Sequence, residues 1–319
     1  MKARWALLIA RYGEDRIHQT LYLLLIGVAS LVIRALMHYE FHYSALLYVG
    51  VPYAISMLLV WFRSHEPTTS VAADYGRHLT IAMMIFLASS IILFEGFVCV
   101  VMFIPIYVMF VSLAYAIGAW AKSAEEKRDR KLRGTVLPLL IFATALEGTT
   151  PSLSLERFES VSATTVTAIS AEDVHRNLVK PMELRRSRGW LISVFPMPVE
   201  IIAGSLQVGD VHRIHTRYHR WFVTNTHEGE MALEITEVSP HRIRTRFISD
   251  TSFFASYVTP IATQIDLQPT ASGGTEVTLT IHYERKLDPA WYFGPLQRTA
   301  MRQMADFLID EVMIREHLL

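Results

Sequence analysis

Long apolar runs dominate the first half of the chain, whereas apolar and polar residues alternate through most of the second half. In the first half, four runs reach the roughly 17 to 25 residues that a helix needs to cross a bilayer. They cover residues 20–37, 44–62, 78–94 and 97–120. Only Glu95 and Gly96 separate the last two runs, so we expect a tight hairpin there, because one straight helix through both would exceed the thickness of a bilayer.

A fifth run over residues 135–146 is short for a membrane span and is interrupted by Pro138. Residues 134–155 nevertheless carry a single charge, Glu147, which is unusual for a soluble linker. We therefore expect this run to cross the bilayer, which gives a transmembrane helical domain of four or five spans over residues 1–150. The alternative is a re-entrant or surface segment.

Basic residues predict the orientation of this bundle. Lysine and arginine cluster before the first run, between the second and third runs, and after the fourth run, while the other two turns have none. Because cytoplasmic loops are rich in these residues, the N-terminus is predicted to be cytoplasmic. If the fifth run crosses the bilayer, everything after Pro151 lies on the outer face, and if it does not, that part of the chain is cytoplasmic.

The end of the chain predicts a strand followed by a long helix. Apolar residues alternate with polar ones from Val277 to Glu284, so one face of this strand is apolar. After Asp288, which we expect to cap the helix, and Pro289, apolar residues recur at four-residue steps as far as Val312. A half-buried strand and an amphipathic helix bury their apolar faces most simply against each other.

Upstream of this pair, the pattern predicts a strand, a short helix and a series of antiparallel strands. The first strand covers residues 160–170, and Ser170 caps a helix that runs to about Met182. Further strands are predicted at residues 199–207, 211–223, 230–238, 241–250 and 259–267. The order of these elements predicts an α+β domain over residues 151–319.

Composition changes this picture little. The chain is 51% apolar and 19% charged, with a mean hydropathy of +0.28, which is too apolar for an ordinary soluble protein. Its 30 basic and 30 acidic residues give a formal net charge of +0, so nucleic acid is not an expected partner. The single cysteine, Cys99, excludes a disulfide within the chain.

Three stretches of the second half, taken in order, resemble the START/polyketide-cyclase superfamily, also called SRPBCC. They read EITEVSPHRIRTRF, QIDLQPTASGGTEVTLTIHYE and LDPAWYFGPLQ. Together with EGFVCVVMFIP in the predicted hairpin, the whole arrangement is similar to bacterial membrane proteins with such a domain at their C-terminus. The resemblance implies a helix-grip fold, in which a curved antiparallel sheet surrounds a long C-terminal helix. It also implies a deep cavity for lipids, sterols, polyketides or other apolar molecules, although superfamily members include enzymes as well as carriers.

Strand alternation predicts which side chains face this cavity. The ligand-binding residues expected on the strands and the helix are Met231, Leu233, Ile235, Ile243, Phe247, Ile261, Ile265, Leu279, Ile281, Tyr283, Met301, Met304 and Leu308. Arg242, Arg244 and Arg246 then lie on the opposite face. Any sheet covered by a helix has an apolar interior, but methionines on adjacent helical turns suit the adaptable wall of a cavity.

Residues 211–221 interrupt the pattern because they are polar on both faces. Read as a helix, His212, His215 and His219 would share one side and could bind a metal ion. Read as a strand, which the surroundings favour, the interleaved arginines would repel a cation. We expect an exposed edge strand, or a basic lip for anionic head groups. A polar ligand end held in the cavity by Arg217 or His219 is a further alternative.

One further group of polar residues could bind a metal ion. His38, Glu40 and His42 could offer metal ligands, but an aromatic loop at the membrane interface explains them equally well. We therefore expect no metal and no cofactor. The chain has no Gly-x-Ser-x-Gly elbow, phosphate loop or Gly-x-Gly-x-x-Gly motif.

The acid and base candidates are few. Asp250, Asp266, His282 and Tyr283 can titrate, but alternation turns Asp266 and His282 outward and Tyr283 inward. We therefore expect no catalytic residue, and an enzyme is the less favoured interpretation.

The sequence predicts a bacterial inner-membrane protein whose C-terminal domain is periplasmic and binds or transfers a hydrophobic ligand, above all a lipid, close to the bilayer. One alternative is a cyclase- or hydratase-type enzyme acting on an apolar substrate, in which Tyr283 or a nearby histidine transfers a proton. Another is a regulatory or structural membrane module, which would have a filled interior. The sequence names no protein partner.

Overall fold

The computed structural model describes residues 44–62, 70–92, 97–126, 141, 143–180, 182–183, 197–221 and 224–314, with six isolated positions between 21 and 36. The chain divides into two compact units, of which one covers most of the first 154 residues and the other contains Leu155–Leu319. The predicted lead before the first run, the group around His38, and most of the fifth run lie outside the described residues.

Three apolar helices form most of the described part of the first unit. They are α1 (Val51–Phe62), which follows a π-helical turn at Leu46–Gly50, α2 (Val71–Ile92) and α3 (Phe97–Glu126). Among the described residues, one helical segment, Val100–Trp120, is long and apolar enough to cross a membrane, and Leu46–Val60 is apolar but shorter. The bundle of four or five spans therefore stays a prediction.

Polar side chains pair between these helices. Ser56 Oγ lies 2.8 Å from His78 Nε2, and it also donates a hydrogen bond to the carbonyl oxygen of Val111 at 3.0 Å. The Tyr115 hydroxyl donates to Asp74 Oδ2 at 2.9 Å. These bonds satisfy polar groups that apolar surroundings would otherwise leave at high energy.

The second unit is built on one eight-stranded antiparallel sheet in the order β1-β8-β7-β6-β5-β4-β3-β2. Its strands are β1 (Phe158–Thr167), β2 (Met182–Glu183), β3 (Met197–Ile202), β4 (Val211–Trp221), β5 (Thr224–Ser239), β6 (Arg242–Asp250), β7 (Val258–Pro269) and β8 (Thr275–Arg285). The side chains of β8 alternate between buried and half-buried along its whole length, which confirms the alternation predicted for this strand.

Two helices pack on the sheet. The short helix α4 (Ala171–Leu178) begins as predicted, with Ser170 Oγ accepting a hydrogen bond from the backbone N–H of Asp173. The long helix α5 (Ala290–Leu308) continues into a π-helical turn, Ile309–Ile314, and packs against β1 and β8. A curled antiparallel sheet with a long C-terminal helix fits the helix-grip fold.

The start of α5 differs from the prediction that Asp288 caps it. Pro289 is the capping residue, and no side chain makes a capping hydrogen bond. Asp288 is instead fully buried, and its carboxylate pairs with Arg285 Nη1 at 2.5 Å and with Arg157. The carboxylate is drawn away from the helix because two guanidinium groups offer stronger, charge-assisted hydrogen bonds.

Four bulges shift the register of the sheet, the first of them at Val199 on β3. On β6, Ile248 is the extra residue opposite Ala232 and Leu233, and on β5 Thr236 has no direct partner. On β7, Ile261 is the extra residue between Pro260 and Ala262. Each bulge exchanges the inward and outward faces of the strand beyond it, so simple alternation fails at these points.

Candidate functional site: an apolar cavity between sheet and helix

A cavity of about 170 Å³ lies between the inner face of the sheet and α5. Six strands, both helices of the unit and the short 3-10 turn Phe253–Ser256 contribute side chains to its wall. Most of the residues predicted for a cavity line it, namely Met231, Leu233, Phe247, Ile265, Leu279, Ile281, Met301, Met304 and Leu308. Its size is comparable with that of the roughly 150 Å³ apolar cavity known to stay dry and to bind benzene.

The helical wall follows from the spacing of three residues. Met301, Met304 and Leu308 recur at three- and four-residue steps, so they share one face of α5 and all reach the cavity. Val312 and Met313 extend this wall into the π-helical turn. The unbranched side chain of methionine has several rotatable bonds, which lets this wall adapt to ligands of different shape.

Ile261 is the clearest error among the predicted cavity residues. It is the bulged residue of β7 and is 36% exposed, whereas its neighbours Pro260 and Thr263 line the cavity. The bulge inserts one residue into the strand, so that the alternation counted back from Ile265 places Ile261 on the wrong face.

Ile235 and Ile243 are buried but do not line the cavity. Both lie nearer to the β5–β6 turn than Leu233 and Phe247, the lining residues of the same strands. Ile243 packs into the hydrophobic core that fills the rest of the unit. Their predicted inward orientation is compatible with this position, but the cavity ends before it reaches them.

Tyr283 is fully buried and lies outside the cavity wall. Its hydroxyl donates a hydrogen bond to Glu159 Oε2 at 2.9 Å, while Arg298 Nη1 donates to Glu159 Oε1 at 3.0 Å. Burial raises the pKa of the Tyr283 phenol, and the neighbouring Glu159 carboxylate raises it further. The phenol is therefore neutral at physiological pH and is engaged with a carboxylate instead of facing the cavity.

Strand β4 is not the edge strand that its polar sequence predicted. It pairs with β3 on one side and β5 on the other. Its inner face contributes His212, Ile214 and Thr216 to the cavity. Strand alternation predicts these three residues once β4 is placed inside the sheet and not at its edge.

The polar residues predicted for β4 have different positions from those expected. Arg217 points outward and pairs with Glu228 at 3.0 Å, so it does not hold a ligand in the cavity. The side chain of His219 lies outside the described residues. His212, His215 and His219 belong to a strand, so the helical arrangement of three histidines is absent. Within the described ranges, no three His, Cys, Asp or Glu side chains are grouped so that they could hold a metal ion.

The outer face of the sheet carries a ladder of ion pairs. Arg242 pairs with Asp266 at 2.7 Å, Arg244 with Glu237 at 3.3 Å and Arg246 with Glu234 at 2.6 Å. These three arginines therefore lie on the face opposite the cavity, as strand alternation predicted.

No family model matches this chain, and no curated protein matches it. Solved structures match about its C-terminal half. A START superfamily protein from Mycobacterium smegmatis is 15% identical, with 48% of this chain and 96% of that chain covered and a TM-score of 0.30. Norcoclaurine synthase from Thalictrum flavum is 15% identical, with 47% and 83% covered and a TM-score of 0.29.

A protein from Chromobacterium violaceum is 18% identical, with 47% of this chain and 97% of that chain covered and a TM-score of 0.29. These identities and TM-scores are too low to assign an activity. The description of the second unit as a helix-grip domain therefore rests on its own order of strands and helices.

Proposed function

We propose that the second unit binds a hydrophobic ligand, a lipid, in the cavity between the sheet and α5, and that the helical unit anchors it to a membrane. The observation that carries this proposal is the cavity itself, because its wall is almost entirely apolar and its volume suits an organic guest. A tethered domain of this kind can take up and release lipid without diffusing away from the bilayer.

A ligand in this cavity gains free energy in two ways. Each methylene group moved from water to an apolar site contributes about 0.8 kcal/mol. The side chains around an empty cavity also lack packing partners on one side, and a ligand restores these dispersion contacts. Binding of an apolar chain is therefore favourable even before any polar group of the ligand is recognised.

The membrane part of the proposal is supported by the segment Val100–Trp120 and by the long apolar runs of the sequence. We place the N-terminus in the cytoplasm and the second unit in the periplasm of a bacterial inner membrane, from the distribution of basic residues. Reporter fusions at Ser154 and at the C-terminus test this topology. Periplasmic activity at both sites is expected, and cytoplasmic activity at both sites would contradict it.

The binding proposal is tested by native mass spectrometry of the purified full-length chain. We expect a bound lipid or, after removal of lipid, uptake of added lipid. Thr263→Trp and Met304→Trp place an indole inside the cavity and should abolish this adduct. Ile261→Trp is the matched control, since it introduces the same side chain two residues away on β7 at an exposed position. An adduct that survives both cavity variants would refute the proposal.

The other interpretations of the sequence receive less support. A regulatory or structural module was expected to have a filled interior, whereas this one contains a cavity of about 170 Å³. The enzyme interpretation relies on Tyr283 or a nearby histidine. Tyr283 is bonded to Glu159 outside the cavity wall. The histidine that lines the cavity is His212, whose Nε2 lies 2.9 Å from the carbonyl oxygen of Ser205.

A further inference from the structure

The wall of the cavity carries a pair of hydroxyl groups. Thr245 on β6 and Thr263 on β7 are directly opposite each other in the strand register, and both residues line the cavity. Their Oγ1 atoms lie 2.7 Å apart, so one hydroxyl donates a hydrogen bond to the other. The two threonines therefore form one polar group on the inner face of the sheet.

The neighbours of this threonine pair on the inner face are apolar. Phe247 and Ile265 lie two residues further along the same two strands, Ile281 is opposite Thr263 on β8, and all three line the cavity. Both threonines are half-buried, and the cavity is the open space beside them on this face. A ligand in the cavity therefore lies against the two threonine side chains.

One hydroxyl hydrogen of the threonine pair remains for a ligand. Each hydroxyl supplies one donor, and the bond within the pair uses one of the two hydrogens. Among the described residues, neither hydroxyl has a further hydrogen-bond partner. Thr216, which also lines the cavity, differs because its hydroxyl donates to the carbonyl oxygen of Gly229 at 3.1 Å. The pair can thus donate one hydrogen bond to an oxygen inside the cavity.

The wall offers no carboxylate, ammonium or guanidinium group to a ligand. The described residues that line the cavity include no aspartate, glutamate, lysine or arginine. His212 lines the cavity, but its Nε2 lies 2.9 Å from the carbonyl oxygen of Ser205, so this nitrogen is engaged by the protein. Moving an ionised group from water into apolar surroundings without a partner is strongly unfavourable. A charged head group is therefore expected to stay outside.

We propose that the part of the ligand inside the cavity is uncharged and carries one hydrogen-bond-accepting oxygen, of a carbonyl or a hydroxyl group, which the Thr245–Thr263 pair binds. This inference rests on the proposed function, because it assigns the chemistry of the same ligand. The cavity thereby prefers a neutral chain that carries an oxygen to a simple fatty acid or alkylamine of equal length.

A hydrogen-bonded pair of threonines can also serve to join two neighbouring strands. The outer face of the same sheet has such a pair, in which the Oγ1 atoms of Thr164 and Thr278 lie 2.9 Å apart. This outer pair is exposed and does not line the cavity. Removing its hydroxyls therefore measures the joining of strands alone, which makes it the matched control.

The test compares four probes of equal chain length: 2-octanone, 1-octene, octanoate and octylamine. Equilibrium dialysis at pH 8, at which the last two probes are charged, measures their binding to the full-length chain in lipid nanodiscs. Met304→Trp is the reference for partitioning into lipid, because it fills the cavity and keeps the threonine pair. We expect 2-octanone to bind at least about tenfold more tightly than either charged probe.

The double variant Thr245→Val/Thr263→Val removes both hydroxyls and nearly preserves the shape of the wall. We expect it to lower the preference for 2-octanone over 1-octene by about three- to tenfold, because one hydrogen bond to the ligand is lost. The control Thr164→Val/Thr278→Val should leave this preference unchanged.

Infrared spectroscopy of the wild type provides a second measurement that needs no variant. A hydrogen bond lowers the stretching frequency of a carbonyl group. The carbonyl band of bound 2-octanone, labelled with carbon-13, should therefore lie below the band of the same molecule in the lipid of the nanodisc. A bound band at the lipid frequency would overturn the inference even if the double variant did not fold.

The outcomes separate this inference from the proposed function. If 2-octanone binds, but the double variant does not change its preference over 1-octene, the threonines only join strands and the inference is wrong. Octanoate or octylamine that binds as tightly as 2-octanone would also overturn it. If no probe binds to the wild type more than to Met304→Trp, the proposed function itself fails.

Discussion

The two units of this chain present opposite kinds of surface. The exposed side chains of α2 and α3 include the large apolar residues Met84, Leu87, Ile91, Val101 and Met109, although α2 also exposes Arg77. The outer face of the sheet in the second unit carries the ladder of ion pairs between β5, β6 and β7. Apolar side chains are costly in water and charged ones are costly in lipid, so this contrast is what the proposed membrane anchor predicts.

The units also differ in how they bury polar groups. The helices use hydrogen bonds such as that between Ser56 and His78, whereas the second unit buries the ion pair between Arg285 and Asp288 completely. A buried ion pair requires many compensating contacts, and Arg285 also donates to the carbonyl oxygens of Leu287 and Glu156. Four substitutions test this comparison.

Asp288→Asn should have the largest effect, because it leaves the buried guanidinium of Arg285 without its closest carboxylate. We expect a loss of about 3–5 kcal/mol in the free energy of unfolding of the second unit. Chemical denaturation followed by circular dichroism measures it. Asp266→Asn, which breaks the partly exposed pair with Arg242, is the control. If Asp288→Asn destabilises the unit no more than this control does, the buried pair contributes no more to stability than the exposed one.

Met84→Arg tests whether the apolar surface of α2 faces lipid. Met84 is 67% exposed, and an arginine at the centre of a membrane helix costs about 2.5–3.5 kcal/mol. We expect much less of this variant in the membrane fraction after alkaline extraction. Ile248→Arg, at a 51% exposed position on the sheet, should insert normally. If Met84→Arg and Ile248→Arg insert equally well, the exposed apolar surface of α2 does not face lipid.

Ser56→Ala should have a moderate effect inside the helical unit. It removes the hydrogen bonds of Ser56 Oγ with His78 and with the Val111 carbonyl, and a typical bond contributes about 0.5–1.5 kcal/mol. The midpoint of thermal unfolding in detergent should fall by a few degrees. Ser56→Thr keeps the hydroxyl and should retain more of the stability, so a Thr variant as unstable as Ala would contradict this explanation.

Arg242→Ala should have the smallest effect, about 0–1 kcal/mol, because its pair with Asp266 is partly exposed. Burial acts to raise the pKa of Asp266, but hydrogen bonds from Gln264 and Arg242 outweigh it and lower the pKa. A carboxyl group with a lowered pKa stabilises the fold above its ordinary pKa, and this contribution disappears as the pH falls through the folded-state value.

Arg242→Ala should therefore unfold with nearly the wild-type free energy at acid pH, and the difference from the wild type should be largest at neutral pH. NMR titration of the Asp266 carboxyl should show a higher pKa in Arg242→Ala. If the pKa of Asp266 does not change, the ion pair with Arg242 does not stabilise the Asp266 carboxylate.

Local pattern determined much of the second unit. The alternation of β8 and the cap of α4 at Ser170 follow from local sequence, and the structure confirms them. The periodicity of α5 also predicted one face for Met301, Met304 and Leu308, and all three lie along the cavity wall. These features depend on residues only a few positions apart, so the sequence alone contains the information that fixes them.

Other features of the second unit depend on contacts between residues that are far apart in the sequence. The bulges at Ile248 and Ile261 arise from strand pairing, and the bulge on β7 turns Ile261 outward. Asp288 lost its predicted capping role because Arg157, far away in the sequence, comes within reach of it. The apolar runs predicted a membrane domain from composition and length. The cavity, in contrast, is enclosed by side chains from six strands and both helices of the second unit, so no short stretch of sequence encodes that space.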